Sequence, residues 1–204
     1  MATLPKFKNT HLLDQALTHR SFLNEMKKSK ATGKVESNER LEFLGDAIIS
    51  FLTSSYLFKT FPNFAEGDLT NLRSLLVRTE SLSLVAKTLK LGKLLKLSKG
   101  EEESGGRENT AILANTFESF IGALFLDQDL PAVSKILEIS LFPKAKKLVE
   151  HKSLKDAKSL FQELVQEKKL PAPNYKILGS EGPEHAKVFT CGVFVKNTLW
   201  GKGK

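Results

Sequence analysis

The segment TAILANTFESFIGALFLD, residues 110–127, constrains this chain more than any other. Read as a helix it is apolar on nearly every side, through Ile112, Leu113, Phe117, Phe120, Ile121, Leu124 and Phe125. A helix without a wet face is buried, so other helices must wrap around it. Asn115 and Glu118 are nevertheless inside it, three residues apart and so on one face. An isolated buried carboxylate is costly or changes its pKa, and it therefore needs a partner.

A second segment, NERLEFLGDAIIS at 38–50, offers one. Glu39, Glu42 and Asp46 have the i, i+3, i+7 spacing that puts them close to one helical face. Leu41, Phe43, Leu44, Ala47, Ile48 and Phe51 lie mainly on the other side. Alone, this is the pattern of an ordinary amphipathic helix with a wet acidic face. Two helices that each carry an acid-bearing face could share divalent metal, since Mg²⁺ takes oxygen ligands and needs few carboxylates. The competing arrangement neutralises the acids with a helix terminus or with Arg40, Arg73 or Arg78. Spacing leaves both open.

Up to residue 150 the periodicity is helical, with no strand pattern. HLLDQALTHRSFLNE has helical spacing; residues 37–59 form a helix with Ser37 or Asn38 as cap; FPNFAEGD breaks it. Helices are predicted over 69–89, 110–127 and 130–149, with polar KGEEESGGREN between the first two as a loop. Five lysines, Lys87, Lys90, Lys93, Lys96 and Lys99, recur every third residue. On one helix they would wrap around the cylinder without forming a stripe, and they read as solvated charge.

The character then changes. LVEHKSLKD is a charged connector and DAKSLFQELVQEKK a helix stopped before Pro171. Strands follow over 175–178, 188–195 and from about 199, with Lys196 and Asn197 as a hairpin turn. The fold class predicted is mostly α: an all-helical domain over 1–150, a linker over 151–155 and a small α+β domain over 156–204.

The net charge of +8 and a pI near 9.5 suit a nucleic acid or an anionic surface as partner. Ten lysines against five acids in 152–204 concentrate that charge in the small domain. The single cysteine, Cys191, excludes an internal disulfide, and no Cys/His cluster suits zinc. There is no signal-peptide core, and no unbroken apolar run approaches the roughly 20 residues of a membrane span. A cytoplasmic protein is expected. A di-metal redox bundle would want Glu-x-x-His pairs, and His11, His19, His151 and His185 supply none.

NERLEFLGDA resembles the signature of ribonuclease III. LLDQALTHRSFLNE, EGDLTNLRSLLVR and ILANTFESFIGALFLD resemble that family's opening, middle and second acidic helices. DAKSLFQELVQ with GPEHAKVF resembles a double-stranded RNA-binding domain, so the likeness covers nearly the whole chain in the short bacterial order. It implies a homodimeric, Mg²⁺-dependent endonuclease, with Mn²⁺ as a substitute ion. Such an enzyme cuts double-stranded RNA to 5′-phosphate ends with short 3′ overhangs and serves rRNA and mRNA processing. By position, Glu42, Asp46 and Glu118 match metal-binding and catalytic acids, with Asp46 ordering the nucleophilic water or a second ion. Glu39 and Glu66 match accessory acids, and Phe43 an aromatic that plugs the partner subunit.

Asn115 stands where that family has a metal-binding Asp. It keeps a carbonyl oxygen and loses a charge. It is compatible with an active enzyme that ligates through that oxygen, with a substitution engineered to trap a complex, and with a relative that binds RNA without cutting. Thr116 and Ser119 also depart from the commoner Ala, which favours a natural variant. In the small domain Ser159, Gln162 and Glu163 match the helical contact to RNA, and Pro183, Glu184 and His185 the loop that enters the next minor groove. The full domain would be α-β-β-β-α. A lysine-rich last helix is expected beyond Lys204; without it the small domain should be marginal, and a truncated chain, a disordered end and a vestigial domain all fit the sequence.

Overall fold

The computed structural model describes residues 4–28, 36–150 and 157–204; the predicted linker over 151–155 lies outside them. The chain divides into two compact units, Met1–Leu154 and Lys155–Lys204.

The first unit is helical: α1 (Thr10–Ala16), α2 (Arg20–Lys28), α3 (Glu39–Thr60), α4 (Glu66–Val77), α5 (Thr79–Thr88), α6 (Lys99–Glu103), α7 (Thr110–Ser140) and α8 (Pro143–Glu150). As its pattern requires, α7 is the central rod. Leu113, Phe117, Phe120, Ile121 and Leu124 are fully buried against α3 and α5. Asn109 caps its start, accepting from the backbone N–H groups of Ala111 and Ile112 at 2.9 and 3.1 Å. Thr116 and Ser119 are buried and satisfied. The Thr116 hydroxyl donates to the Ile112 carbonyl at 2.6 Å, and the Ser119 hydroxyl reaches across to the Ala16 carbonyl at 2.7 Å. Ser119 thus ties α7 to α1 where an apolar side chain could not.

The crossing of α3 and α7 is set by two glycines. A Cβ on Gly45 would overlap the Glu118 carbonyl, and one on Gly122 the Leu41 carbonyl. Both obstacles are backbone and cannot swing away. α3 is also the one helix among the described residues long and apolar enough to cross a membrane. Its acids do not lower its mean hydropathy enough to prevent that. In this fold Leu41, Ile48, Ile49 and Leu57 bury one side of it in the core.

Several elements depart from the sequence prediction. The opening segment is two helices rather than one, interrupted where Thr18 bridges Lys96. The predicted 69–89 helix breaks at Arg78, whose backbone is extended (φ −67°, ψ 155°). Asn38 occupies the cap position of α3 in helical conformation and makes no side-chain cap, while the Ser37 hydroxyl donates to Glu39 at 2.8 Å. KGEEESGGREN is not a loop. Ser98 caps α6 by accepting from the Glu101 N–H at 3.2 Å, and a 3-10 turn follows at Gly106–Glu108. Ser98 and Glu101 have the capping-box spacing that marks such a start. Arg107 staples this segment down, donating to the carbonyls of Gly92 and Leu95, both at 2.9 Å, and to Glu102 at 2.6 Å. The five spaced lysines share no helix. They run from α5 through a left-handed Lys90 (φ 58°) and a 3-10 turn to α6. Lys87, Lys96 and Lys99 there meet Glu108, Asp14 and Glu103 at 3.8, 3.0 and 3.9 Å.

The second unit has α9 (Ala157–Glu167) and the antiparallel strands β1 (Asn174–Glu181), β2 (Val188–Val195) and β3 (Thr198–Gly203), in the order β1-β2-β3. Lys196 and Asn197 both have positive φ (49° and 65°), the geometry of a two-residue hairpin turn. Phe161 of α9 meets Trp200 of β3 edge-on at 5.8 Å. Val165 and Val195 are buried, whereas Ile177, Val188, Phe189 and Leu199 remain exposed.

α7 bends before Pro131, and Asp129 at the bend has φ 62° and ψ −177°. That region is open essentially to glycine alone and costs other residues about 1–3 kcal/mol. Asp129→Gly should therefore stabilise the first unit and raise Tm by roughly 2–4 °C in a thermal melt, after the entropy of the unfolded glycine is subtracted. Gly122→Ala should do the opposite, costing about 3 kcal/mol or more, because the Leu41 backbone cannot yield.

Candidate metal centre

Gly45 lies against the Glu118 backbone. Glu42 and Asp46, on either side of Gly45 in α3, are thereby brought to the same place as Glu118 of α7. The glycine contact is the means by which two separate acid-bearing segments become one site.

Electrostatics report the encounter. The carboxyl of Glu118 is pushed up to about 7, first by burial, then by the negative charges of Asp46 and Glu42. Glu42 is also raised, by burial first, then by Glu39 and more weakly by Asp46. A side-chain hydrogen bond from Asn115 and the positive charge of Arg20 oppose that rise. The charges acting on Glu118 are thus both negative; the arginine that does act on the acids is Arg20, on Glu39 and Glu42. Arg73 donates to the Ser54 hydroxyl at 3.1 Å, and Arg78 stands 3.7 Å from Glu80.

The face is more open than an all-round apolar helix predicts. Glu118 and Glu42 are half-buried, and Asp46 and Asn115 are exposed. The four residues therefore line a surface rather than a sealed cavity. Of the accessory acids, Glu39 adjoins the cluster and stands 3.7 Å from Arg20. Glu66 does not join it. Its carboxylate accepts from Thr70 at 3.0 Å, in a groove lined by Phe51, Phe58, Leu69 and Arg73.

Among the described residues no three His, Cys, Asp or Glu side chains stand together in metal-holding geometry. Glu42, Asp46 and Glu118 would have to turn toward one another to enclose an ion. Their chemistry nonetheless fits one. The donors are oxygens alone, which suits a hard divalent cation, and the charges of Asp46 and Glu42, which add to burial in raising Glu118, are what a cation would offset.

Phe43 is 82% exposed, on the side of α3 that leaves the core. Phe51 and Phe58 are exposed too, at 60% and 73%, where the sequence pattern had placed Phe51 with the apolar packing side. Residues 43, 47, 51 and 58 form a second, outward apolar stripe, distinct from buried Leu41, Ile48 and Leu57. The spacing of that stripe was available in the sequence, but a helix with two apolar sides was not separated into a core side and a free side.

In the second unit Gln162 and Glu163 are exposed on α9, and Pro183 and Glu184 are exposed at the turn Glu184–Ala186. Ser159 and His185 belong to α9 and to that turn; their side chains lie outside the described residues.

Comparison with known proteins agrees with this division. Residues 9–145 match a family model described as ribonuclease-III-like, and residues 157–204 match the double-stranded RNA binding motif. Ribonuclease 3 of Listeria innocua is 43% identical over 97% of this chain and 84% of its own length. The solved nuclease domain of ribonuclease III from Campylobacter jejuni is 40% identical with a TM-score of 0.58, over 65% of this chain and 86% of that one. That structure was described for flexibility in a region involved in dimer formation. Dicer from Pichia stipitis, 25% identical, is matched over 98% of this chain and 87% of its own with a TM-score of 0.54.

The raised Glu118 carboxyl has a pH signature. A carboxyl whose folded pKa lies above its unfolded value favours the folded state while protonated, and that favour is lost as pH climbs from about 4.5 to about 7. In EDTA, Tm of the wild type should fall across this window relative to Glu118→Gln, whose amide does not titrate. Parallel Tm profiles for the two proteins would contradict the assignment.

Proposed function

We propose a mechanism for a chain that belongs to the ribonuclease III family and so to the endoribonucleases specific for double-stranded RNA. The proposal is that it cuts its substrate with Mg²⁺, or Mn²⁺ in its place, held by Glu42, Asp46, Glu118 and the neutral oxygen of Asn115. The observation that carries this reading is the gathering of three carboxylates from α3 and α7 on one open face, with no arginine acting on Glu118.

A divalent ion there supplies charge stabilisation at the phosphate and a lowered water pKa. The remaining work belongs to the side chains. Asp46 orients the attacking water. Glu118, whose carboxyl lies near 7 without the ion, gives up its proton as the ion binds and then serves as a ligand. Water adds to phosphorus, the bond to the 3′ oxygen breaks, that oxygen leaves with a proton, and the 5′ phosphate remains on the other fragment. The openness of the face suits a duplex, whose phosphates cannot enter a closed pocket.

The second unit supplies grip. Ser159, Gln162 and Glu163 on α9 and His185 in the turn are read as contacts to successive minor grooves, where RNA duplexes are recognised by shape and 2′-hydroxyls. Two copies of the chain would pair through the outward stripe of α3, with Phe43 as anchor, and give two sites on one duplex. Cytoplasmic processing of rRNA and mRNA precursors, with fragments bearing short 3′ overhangs, is the proposed setting.

A long RNA duplex incubated with and without Mg²⁺ tests this. The wild type should cut only with the ion, and Glu118→Gln should cut about a hundredfold more slowly or less. Binding without cutting, reversed by Asn115→Asp, would instead mark a protein whose present role is to hold RNA. Phe43→Ala should move the sedimentation coefficient toward that of a monomer, and an unchanged dimer would remove Phe43 from the anchoring role.

A further inference from the structure

A face of carboxylates repels an RNA backbone, so a fixed positive charge beside it has a use. The chain has five arginines. Arg107 donates to the carbonyls of Gly92 and Leu95, Arg73 to the Ser54 hydroxyl, and Arg78 stands by Glu80. Arg40 lines the hollow beside Phe43, Leu44 and Leu126. Arg20 is the arginine at the edge of the acidic face. Its guanidinium lies 3.7 Å from Glu39, which begins α3 one turn before Glu42. Among the described residues Glu39 is the one acid within 4 Å of it.

The backbone around Arg20 is held on two sides. The His19 N–H donates to the Lys96 carbonyl at 3.1 Å, and the Ser98 N–H to the Ser21 hydroxyl at 3.1 Å. The Ser21 hydroxyl also meets Nδ1 of the His19 ring at 2.9 Å. On the other side the Asn38 N–H, directly before α3, donates to the Thr18 carbonyl at 2.9 Å. Arg20 is thus fixed relative to the first turn of α3. Its side chain is not: it is 70% exposed, and its ion pair with Glu39 is too long for a hydrogen bond. An exposed pair of that kind adds little to stability, and the backbone bonds already tie these segments together. A lightly held guanidinium on a firmly held backbone is arranged for a partner from outside.

We propose that Arg20 binds a phosphate of the RNA duplex, on the strand whose scissile phosphate lies at the acids, and that Glu39 holds the guanidinium until the RNA displaces it. The proposal rests on the nuclease reading for its substrate. Arginine suits the task, because its planar fork meets two phosphate oxygens at once. The contact is the same before and during cleavage, so it acts on KM rather than on kcat.

The test measures cleavage of an RNA duplex by the full chain in Mg²⁺ over a range of salt concentrations. The proteins are wild type, Arg20→Gln, Arg20→Lys and Arg78→Gln. Arg20→Gln should flatten the slope of log kcat/KM against log salt by about one, raise KM roughly tenfold and leave kcat within about twofold. Arg20→Lys should keep the slope and recover part of the KM, as a charge without the fork. Arg78→Gln removes the same charge elsewhere and should leave the slope unchanged. Tm in EDTA should agree among the proteins within about 2 °C, since both arginines make only exposed pairs. An unchanged slope in Arg20→Gln, an equal flattening in Arg78→Gln, a lysine variant that behaves like the glutamine one, or a loss of kcat with KM intact overturns the proposal. Failure of the wild type to cut would instead defeat the nuclease reading. The slope is then read from fluorescence anisotropy of the duplex bound in Mg²⁺, and its flattening in Arg20→Gln, or the lack of it, decides the role of Arg20.

Discussion

The contact of Gly45 with Gly122 and the Glu118 backbone is the constraint on which the rest of this molecule depends. Helices normally pack about 8–10 Å apart because side chains keep them there. Here two backbones touch, since a Cβ at either glycine would meet a carbonyl. Close approach makes α7 the core of the first unit, and it brings the acids of both helices to a common face. Packing and chemistry are fixed by one pair of missing side chains.

That arrangement has an electrostatic cost. Burial first, and then neighbouring negative charge, raises both Glu42 and Glu118, and Glu118 is shifted further. Left alone the cluster opposes folding at neutral pH. The fold tolerates it because the core beneath is continuous, from Leu113 through Leu124 along α7 and across to α5. Two smaller devices temper it: Arg20 and the amide of Asn115 both act on Glu42. A face so disposed is stabilised by any divalent cation it binds, by mass action, and this couples loading of the site to stability.

Much of this was legible from residue spacing. The apolar wrap of 110–127 announced a central helix, and the i, i+3, i+7 acids of 38–50 offered a partner for Glu118 while leaving neutralisation by arginine equally open. What was not legible has physical causes. Periodicity cannot tell that Asn115 is exposed, because openness depends on what α3 leaves uncovered. It cannot divide the apolar residues of α3 into core and free sides, because Phe51 and Ile48 look alike until α7 is in place. The break at Arg78 carries no glycine or proline to mark it. The α6 start could have been found, since Ser98 and Glu101 have capping spacing, but the glycines that follow masked it. The spaced lysines misled because a sequence interval of three has meaning only on a continuous helix, and Lys90 ends one.

The central claim is that Glu42, Asp46 and Glu118 form one divalent-cation site in which the Glu118 carboxyl is partly protonated before the ion arrives. Calorimetric titration of Mg²⁺ at pH 7, in buffers of different ionisation enthalpy, measures that directly as protons released per ion bound. The account predicts release of about half a proton, since a carboxyl near its pKa must deprotonate to ligate, and its disappearance in Glu118→Gln. Mg²⁺ binding without proton release, or release that survives in Glu118→Gln, would contradict it.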